Sequence, residues 1–99
     1  MTEQESKALN ESIRLAEVLT RLENTAEFKE IILDGFIEAG TKGCVAALAY
    51  AGSEDQKKRL LSKLEAIANL QAFLADIKNT AINAKHMLEE SAEEEGDEE

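Results

Sequence analysis

The sequence contains no proline and no tryptophan, and its aromatic residues are three phenylalanines and one tyrosine among 99 residues. Without proline, nothing in the sequence forces a kink into a long helix, which argues against a loop-rich or sandwich fold. Because aromatic side chains are few, leucine, isoleucine and alanine must form most of the core. These absences predict an all-α fold.

The chain also has a single cysteine, Cys44, which excludes an intrachain disulfide. Its first residues are polar and acidic, without the charged and then apolar pattern of a signal peptide. No apolar run approaches the length of a membrane span. We therefore expect a cytoplasmic protein that binds no membrane.

Basic residues are outnumbered by acidic ones, 11 to 21, and the net charge is −10. Eight of the acidic residues lie between Glu89 and Glu99, so the rest of the chain is nearly neutral. There is no basic stripe to hold a phosphate backbone, and we expect no direct nucleic-acid binding. The segment 91–99 is predicted to be a disordered acidic tail that could bind a basic partner through Glu93, Glu94, Glu95, Asp97, Glu98 and Glu99.

The stretch from Ser53 to Glu90 has the pattern of one very long amphipathic helix. Ser53 and Gln56 form a capping box at its start, and its apolar residues recur every three or four positions. Alanines at positions 81 and 84 belong to this stripe. Its larger members form a predicted self-association seam: Leu60, Leu64, Ile67, Leu70, Leu74, Ile77 and Leu88.

Two shorter helices are expected before it. Residues 1–8 have little apolar character and are predicted to be a flexible lead, followed by a first helix from Leu9 to about Glu23. A second helix is predicted over 25–51, with Asn24 as its N-cap and Gly52 just beyond its end. Its apolar stripe comprises Phe28, Ile31, Ile32, Gly35, Phe36 and Ala39.

Small residues dominate the second half of this second helix. They predict close packing against another helix and comprise Gly35, Gly40, Gly43 and Ala47. Gly40 and Gly43 could instead break the helix, because each glycine costs about 1 kcal/mol relative to alanine. We favour a continuous helix. Residues 9–90 would then form one domain, a hairpin of helices two and three with helix one packed on it or exchanged with another copy.

No pattern in the chain indicates catalysis or a cofactor. His86 lies three and four residues before Glu89 and Glu90, but the chain has one histidine, and Asn83 occupies the position of the acidic ligand in an acid-x-x-His pair. Cys44 is interpreted as a small buried core residue. A basic cluster in the first turns of the long helix is interpreted as a solvated face or a contact for an acidic partner; it comprises Lys57, Lys58, Arg59 and Lys63.

Two segments resemble a family of small acidic helical proteins of tailed bacteriophages. One runs from Glu27-Phe28-Lys29 to Gly35-Phe36, and the other is Lys63–Leu70 followed by Phe73-Leu74. The resemblance covers about residues 20–95 and implies a protein encoded among virion-assembly genes. It carries over no functional residue, and Gly40 and Gly43 fall where the family is charged and helical.

These observations predict a non-enzymatic interaction protein that forms a homo-oligomer, most simply a dimer, and acts as a phage virion component or assembly factor. It would reside in the host cytoplasm or the virion. The alternative is a small acidic inhibitor whose glutamate-rich tail occupies a basic nucleic-acid-binding surface of a host protein.

Overall fold

The structure, a computed structural model, describes residues 1–97 of the chain, with side chains described as far as Glu94. Over those residues it contains three helices and no strand: α1 spans Glu3–Glu23, α2 covers residues 26–49, and α3 spans Glu54–Asp97. The predicted all-α fold with a very long C-terminal helix is therefore confirmed.

The chain divides into two compact units. Met1–Arg21 and the part of α3 from Leu74 onward form one unit, and Leu22–Phe73 forms the other. The first unit buries Leu19, Ala81 and Ala84, and the second buries Phe28, Cys44 and Ile67. The second unit is the predicted hairpin of α2 and α3. In the first unit, α1 packs on α3 of its own chain.

α1 begins at Glu3, well before the predicted start at Leu9. The backbone N–H of Glu5 donates to Thr2 Oγ1 at 3.1 Å, and the Glu5 carboxylate accepts from the backbone N–H of Thr2 at 3.2 Å. This reciprocal capping box satisfies donors that would otherwise be exposed at the helix start. It corrects the predicted helix start and places residues 3–8, expected to be a flexible lead, in helical backbone.

Thr25, and not Asn24, caps the start of α2. Its side-chain oxygen accepts a hydrogen bond from the backbone N–H of Phe28 at 3.1 Å and donates one to the carbonyl of Leu22 at 2.7 Å. The Thr25 hydroxyl therefore forms hydrogen bonds with backbone groups of both α1 and α2, the two helices that it separates.

The middle of α2 is π-helical. Ala26–Phe28 and Gly40–Ala49 are α-helical, and Lys29–Ala39 between them is a π-helix. At its end the Gly40 N–H donates to the carbonyl of Gly35, five residues earlier, which is the bond that defines a π-helix. The helix passes through Gly40 and Gly43 without a break, so the continuous alternative is correct.

The π-helical bonds change which side chains of α2 are covered. Residues four and five apart share a face in such a helix, and the covered residues are Phe28, Ile32, Leu33 and Ile37. Ile31, Gly35, Phe36 and Ala39, which belong to the predicted stripe, are exposed. The prediction used α-helical spacing, and it is wrong for these four residues.

The turn from α2 to α3 uses the predicted capping residues. The Gln56 N–H donates to Ser53 Oγ at 3.2 Å, and Gln56 Oε1 accepts from the backbone N–H of Gly52 at 2.9 Å. α2 ends at Ala49, two residues before its predicted end. No described glycine has a positive φ, so Gly52, which was predicted just beyond the helix end, does not form a left-handed cap.

α3 continues beyond Glu90, the predicted end, as far as Asp97. Its last residues include glutamates and alanine, which have favourable helix propensities, and no proline interrupts them. The predicted disorder of the segment 91–99 stays a prediction, and Glu98 and Glu99 lie outside the described residues.

Candidate functional site

The chain has a small core and a large apolar surface. Among the described residues, six apolar side chains are buried: Leu19, Phe28, Cys44, Ile67, Ala81 and Ala84. Twelve large apolar side chains are exposed: Met1, Leu15, Val18, Leu22, Ile31, Phe36, Val45, Tyr50, Leu61, Phe73, Ile82 and Met87. Exposed apolar side chains bind another protein where they form a contiguous patch.

The predicted seam of α3 faces the interior of its own chain. Ile67 is only 2% exposed, and Ala81 and Ala84 are buried with it. The remaining members are half-buried: Leu60, Leu64, Leu70, Leu74, Ile77 and Leu88. A second copy that leaves this fold intact would therefore contact other residues.

A row of exposed residues runs along α3 beside the seam. Each member but the last directly precedes a seam or stripe residue, and the members recur every seven positions, so successive members are displaced by about 20° around the helix. We call this set the flanking row; it comprises Arg59, Ala66, Phe73, Thr80, Met87 and Glu94. Phe73 and Met87, two seven-residue intervals apart, are the sequence signal that we missed.

Arg59 lines a groove beside the α2–α3 turn, within the second unit. The groove has a volume of about 240 Å³ and is lined by Ala47, Tyr50, Ala51, Gln56, Arg59 and Leu60. Tyr50 is 89% exposed, and Ala47 is also exposed. This groove therefore offers an aromatic ring, an apolar floor and one positive charge.

Glu94 lines a different groove, within the first unit. It has a volume of about 250 Å³ and is lined by Met1, Glu5, Met87, Glu90, Ser91 and Glu94. Three carboxylates surround two thioether side chains there. Its charge is opposite to that of the groove that contains Arg59.

The four small residues predicted to pack closely have different surroundings. A Cβ atom on Gly40 would lie 3.1 Å from Ile67 Cδ1, so α2 and α3 approach closely at this point. At Gly35 the nearest atom would be the Glu30 carbonyl oxygen of the same helix, at 3.1 Å. At Gly43 nothing would lie within 4 Å. The close approach of the two helices is therefore at Gly40.

The acidic residues near the end of α3 are exposed as far as their side chains are described. Glu89, Glu90, Glu93 and Glu94 all point to solvent. The side chains of Glu95 and Asp97, like Glu98 and Glu99, lie outside the described residues. His86 is exposed, and the part of the chain that is described contains no group of three or more side chains suited to holding a metal.

Several charged side chains form short-range pairs within single helices. Lys57 of the basic cluster lies 3.4 Å from Glu54, and Lys42 lies 3.0 Å from Glu38. In α1, hydrogen bonds from Arg14 lower the pKa of the Glu11 carboxyl, and that carboxyl raises the pKa of Arg14. These exposed pairs support their helices weakly. Cys44 is buried, as predicted.

No family model, curated protein or solved structure matches this chain. Within residues 1–97, no helix combines the length and the apolar character that crossing a membrane requires.

Proposed function

We propose that this chain is a non-enzymatic protein-interaction module that associates with itself through helix packing, most simply as a dimer. The observation that carries the proposal is the excess of exposed over buried large apolar side chains among the described residues. Covering apolar surface contributes roughly 25 cal/mol per Å², so a partner that covers these side chains would bind with a substantial driving force.

The proposal extends to the setting in which the protein acts. The resemblance of the segments around Phe28 and Phe73 to small helical proteins of tailed bacteriophages supports a role as a virion component or assembly factor. Its place would then be the host cytoplasm or the virion.

Concentration dependence tests the self-association. We expect the sedimentation coefficient and the melting temperature both to rise between about 1 and about 100 µM protein, because association stabilises the folded state by mass action. A sedimentation coefficient and melting temperature that are constant over this range would contradict the proposal.

The exposed carboxylates of α3 favour a second candidate function, an acidic inhibitor of a basic nucleic-acid-binding surface. Glu89, Glu90, Glu93 and Glu94 form an exposed acidic segment. A lysine homopolymer is a suitable probe for it. We expect the full chain to bind this probe, and we expect truncation after Glu90 or added salt to weaken binding. Binding that ignores both changes would exclude the acidic segment as the binding surface.

A further inference from the structure

Positive charge is concentrated around the α2–α3 turn. The segment 38–63 has five basic residues and three acidic ones, a net charge of +2, whereas the rest of the chain has a net charge of −12. Two of the five basic side chains are paired with glutamates of their own helices. The side chains of Lys58, Arg59 and Lys63 are exposed, and within the described residues they form no hydrogen bond or ion pair. These three cations are therefore available to a partner.

Two of these cations lie along one edge of the groove beside the turn. We call this groove the turn groove; it is lined by Ala47, Tyr50, Ala51, Gln56, Arg59 and Leu60, all within the second unit. Lys63 follows Arg59 by one helical turn and lies on the same side of α3. Asp55, one turn before Arg59, is the acidic residue that shares this side of the helix near the groove. The α3 edge of the turn groove therefore has a net positive charge.

The turn groove also offers apolar contact. Ala47, Ala51 and Leu60 form an apolar floor, and the Tyr50 ring beside them is 89% exposed. The volume of the groove is about 240 Å³, below the roughly 300–1,000 Å³ of pockets that hold small molecules. This size suits a single large apolar side chain of a partner. Tyrosine and arginine are also enriched among the residues that contribute most to binding between proteins.

Hydrogen bonds at the turn hold the groove in shape. Gln56 Oε1 accepts from the Gly52 N–H at 2.9 Å, and the Gln56 N–H donates to Ser53 Oγ at 3.2 Å. A Cβ atom on Gly43, one turn before Ala47 on the same side of α2, would meet no atom within 4 Å, so the surface next to the groove is open. An extended peptide can therefore lie along α2 without a change in the fold, and a preformed groove lowers the cost of ordering on binding.

Two other charged occupants fit the turn groove less well. A nucleic-acid strand carries one phosphate about every 3.4 Å and favours a long basic stripe, whereas here two cations border an apolar groove in a chain of net charge −10. The acidic end of a second copy has suitable charge, but residues 89–99 contain one apolar residue, Ala92. That segment supplies no large side chain for the groove.

We propose that the turn groove binds an acidic peptide segment of a partner protein, with one large apolar side chain of that segment in the groove and its carboxylates beside Arg59 and Lys63. Charge complementarity supports this occupant, because guanidinium and ammonium groups form their strongest hydrogen bonds with carboxylates. The apolar floor and the exposed Tyr50 ring select a segment that also carries a large apolar residue. This contact goes beyond self-association and does not depend on it.

A synthetic peptide tests the proposed occupant. The probe is a nonapeptide with a leucine at its centre and four glutamates on each side, titrated into the full chain by isothermal titration calorimetry. We expect a Kd of about 10–100 µM that rises with added salt, because salt screens the exposed charges. A serine in place of the central leucine should raise the Kd about tenfold, because the groove then receives no apolar side chain. The absence of binding up to about 1 mM peptide would contradict the proposal.

A pair of charge variants locates the contact on α3. Arg59→Glu replaces attraction of the peptide by repulsion at the groove, so we expect it to raise the Kd at least about tenfold. Lys58→Glu is the matched control, because Lys58 lies on the other side of α3 from Gln56 and Leu60, and it should change the Kd less than about threefold. Both exposed positions should leave the circular dichroism spectrum unchanged.

A pair of apolar variants locates the contact on α2. Tyr50→Ser removes the exposed ring of the groove, and we expect it to raise the Kd about tenfold. Val45 is 57% exposed on the other side of α2, and Val45→Ser should change the Kd less than about threefold. Ala47→Phe is a further test, because a large side chain at this exposed position fills the groove and should prevent binding.

Three results would overturn the proposal. Equal Kd values for each variant and its control would exclude the turn groove as the binding surface. A single-stranded oligonucleotide that binds more tightly than the nonapeptide, and that Arg59→Glu weakens, would make the groove a nucleic-acid site. A peptide of residues 89–99 that binds as tightly as the nonapeptide would identify the acidic end of a second copy as the occupant. Sedimentation of the wild type without peptide tests self-association separately, so either proposal can fail alone.

Discussion

α3 and the middle of α2 cover their apolar side chains at different intervals. On α3 the covered residues recur every three or four positions, as in Leu64, Ile67, Leu70 and Leu74. On α2 they recur every four or five, from Phe28 through Ile32 and Leu33 to Ile37. The comparison shows that the backbone hydrogen-bond pattern, and not hydrophobicity alone, selects which side of a helix is buried.

The largest effect is expected when a charged side chain replaces a buried residue of the apolar stripe on α3. Ile67→Asp removes a side chain that packs against Gly40 and buries a carboxylate there. We expect the free energy of unfolding to fall by about 4 kcal/mol or more. Urea denaturation followed by circular dichroism measures it. Ala68→Asp, at the exposed next position, should cost less than about 1 kcal/mol; equal costs would mean that Ile67 is not a core residue.

Two phenylalanines test the π-helical part. Phe28 is 8% exposed and Phe36 is 37% exposed. We expect Phe28→Ala to lower the free energy of unfolding by about 3 kcal/mol and Phe36→Ala by about 1 kcal/mol. A regular α-helix would bring Phe36 onto the predicted stripe with Phe28. Similar losses for the two variants would therefore indicate α-helical bonds over Lys29–Ala39.

Gly40 and Gly43, in the α-helical stretch that follows the π-helix of α2, test the contact between α2 and α3. Alanine at either position gains helix propensity of about 0.5–1 kcal/mol. At Gly43 the new methyl group meets no atom, whereas at Gly40 it lies 3.1 Å from Ile67 Cδ1. We expect Gly43→Ala to stabilise the protein. We expect the Gly40→Ala variant to be less stable than the Gly43→Ala variant by about 1 kcal/mol. Thermal unfolding of the two variants side by side measures the difference, and a more stable Gly40→Ala would contradict the close approach.

The smallest effects are expected at the N-caps of the two helices. Thr25→Ala loses one bond to the Phe28 N–H and another to the Leu22 carbonyl, while Ser53→Ala loses only the bond to the Gln56 N–H. We expect the free energy of unfolding to fall by about 1 kcal/mol in Thr25→Ala and by about 0.5 kcal/mol in Ser53→Ala. Asn24→Ala is the control and should change it by less than both. A larger loss at Asn24 than at Thr25 would move the cap back to the residue predicted from sequence.

Much of the fold could be predicted because α-helical spacing is directly visible in a sequence. The stripe of α3, the capping box of Ser53 and Gln56, and the burial of Cys44 all follow from local rules. The π-helix could not be predicted this way, because bonds to the fifth preceding residue leave no distinct pattern among Ile31, Ile32 and Leu33. Thr2 and Glu5 also have the spacing of a capping box, but the helix start was predicted from apolar residues alone, which placed it at Leu9.

Only part of the candidate site could be predicted from the sequence in this way. Its residues stand beside the apolar stripe, where sequence alone does not tell a covered position from an exposed one. Phe73 directly precedes Leu74, and the packing of the chain decides that the first is exposed and the second half-buried.

The exposed tyrosine at the α2–α3 turn gives the molecule a built-in optical reporter. Tyr50 is the only tyrosine and the chain has no tryptophan, so the near-ultraviolet emission of the protein comes almost entirely from this ring. Because the ring lines the groove beside Arg59, its emission intensity and anisotropy respond to whatever fills that groove. The filling of this groove can thus be followed by light in the unlabelled, unaltered chain.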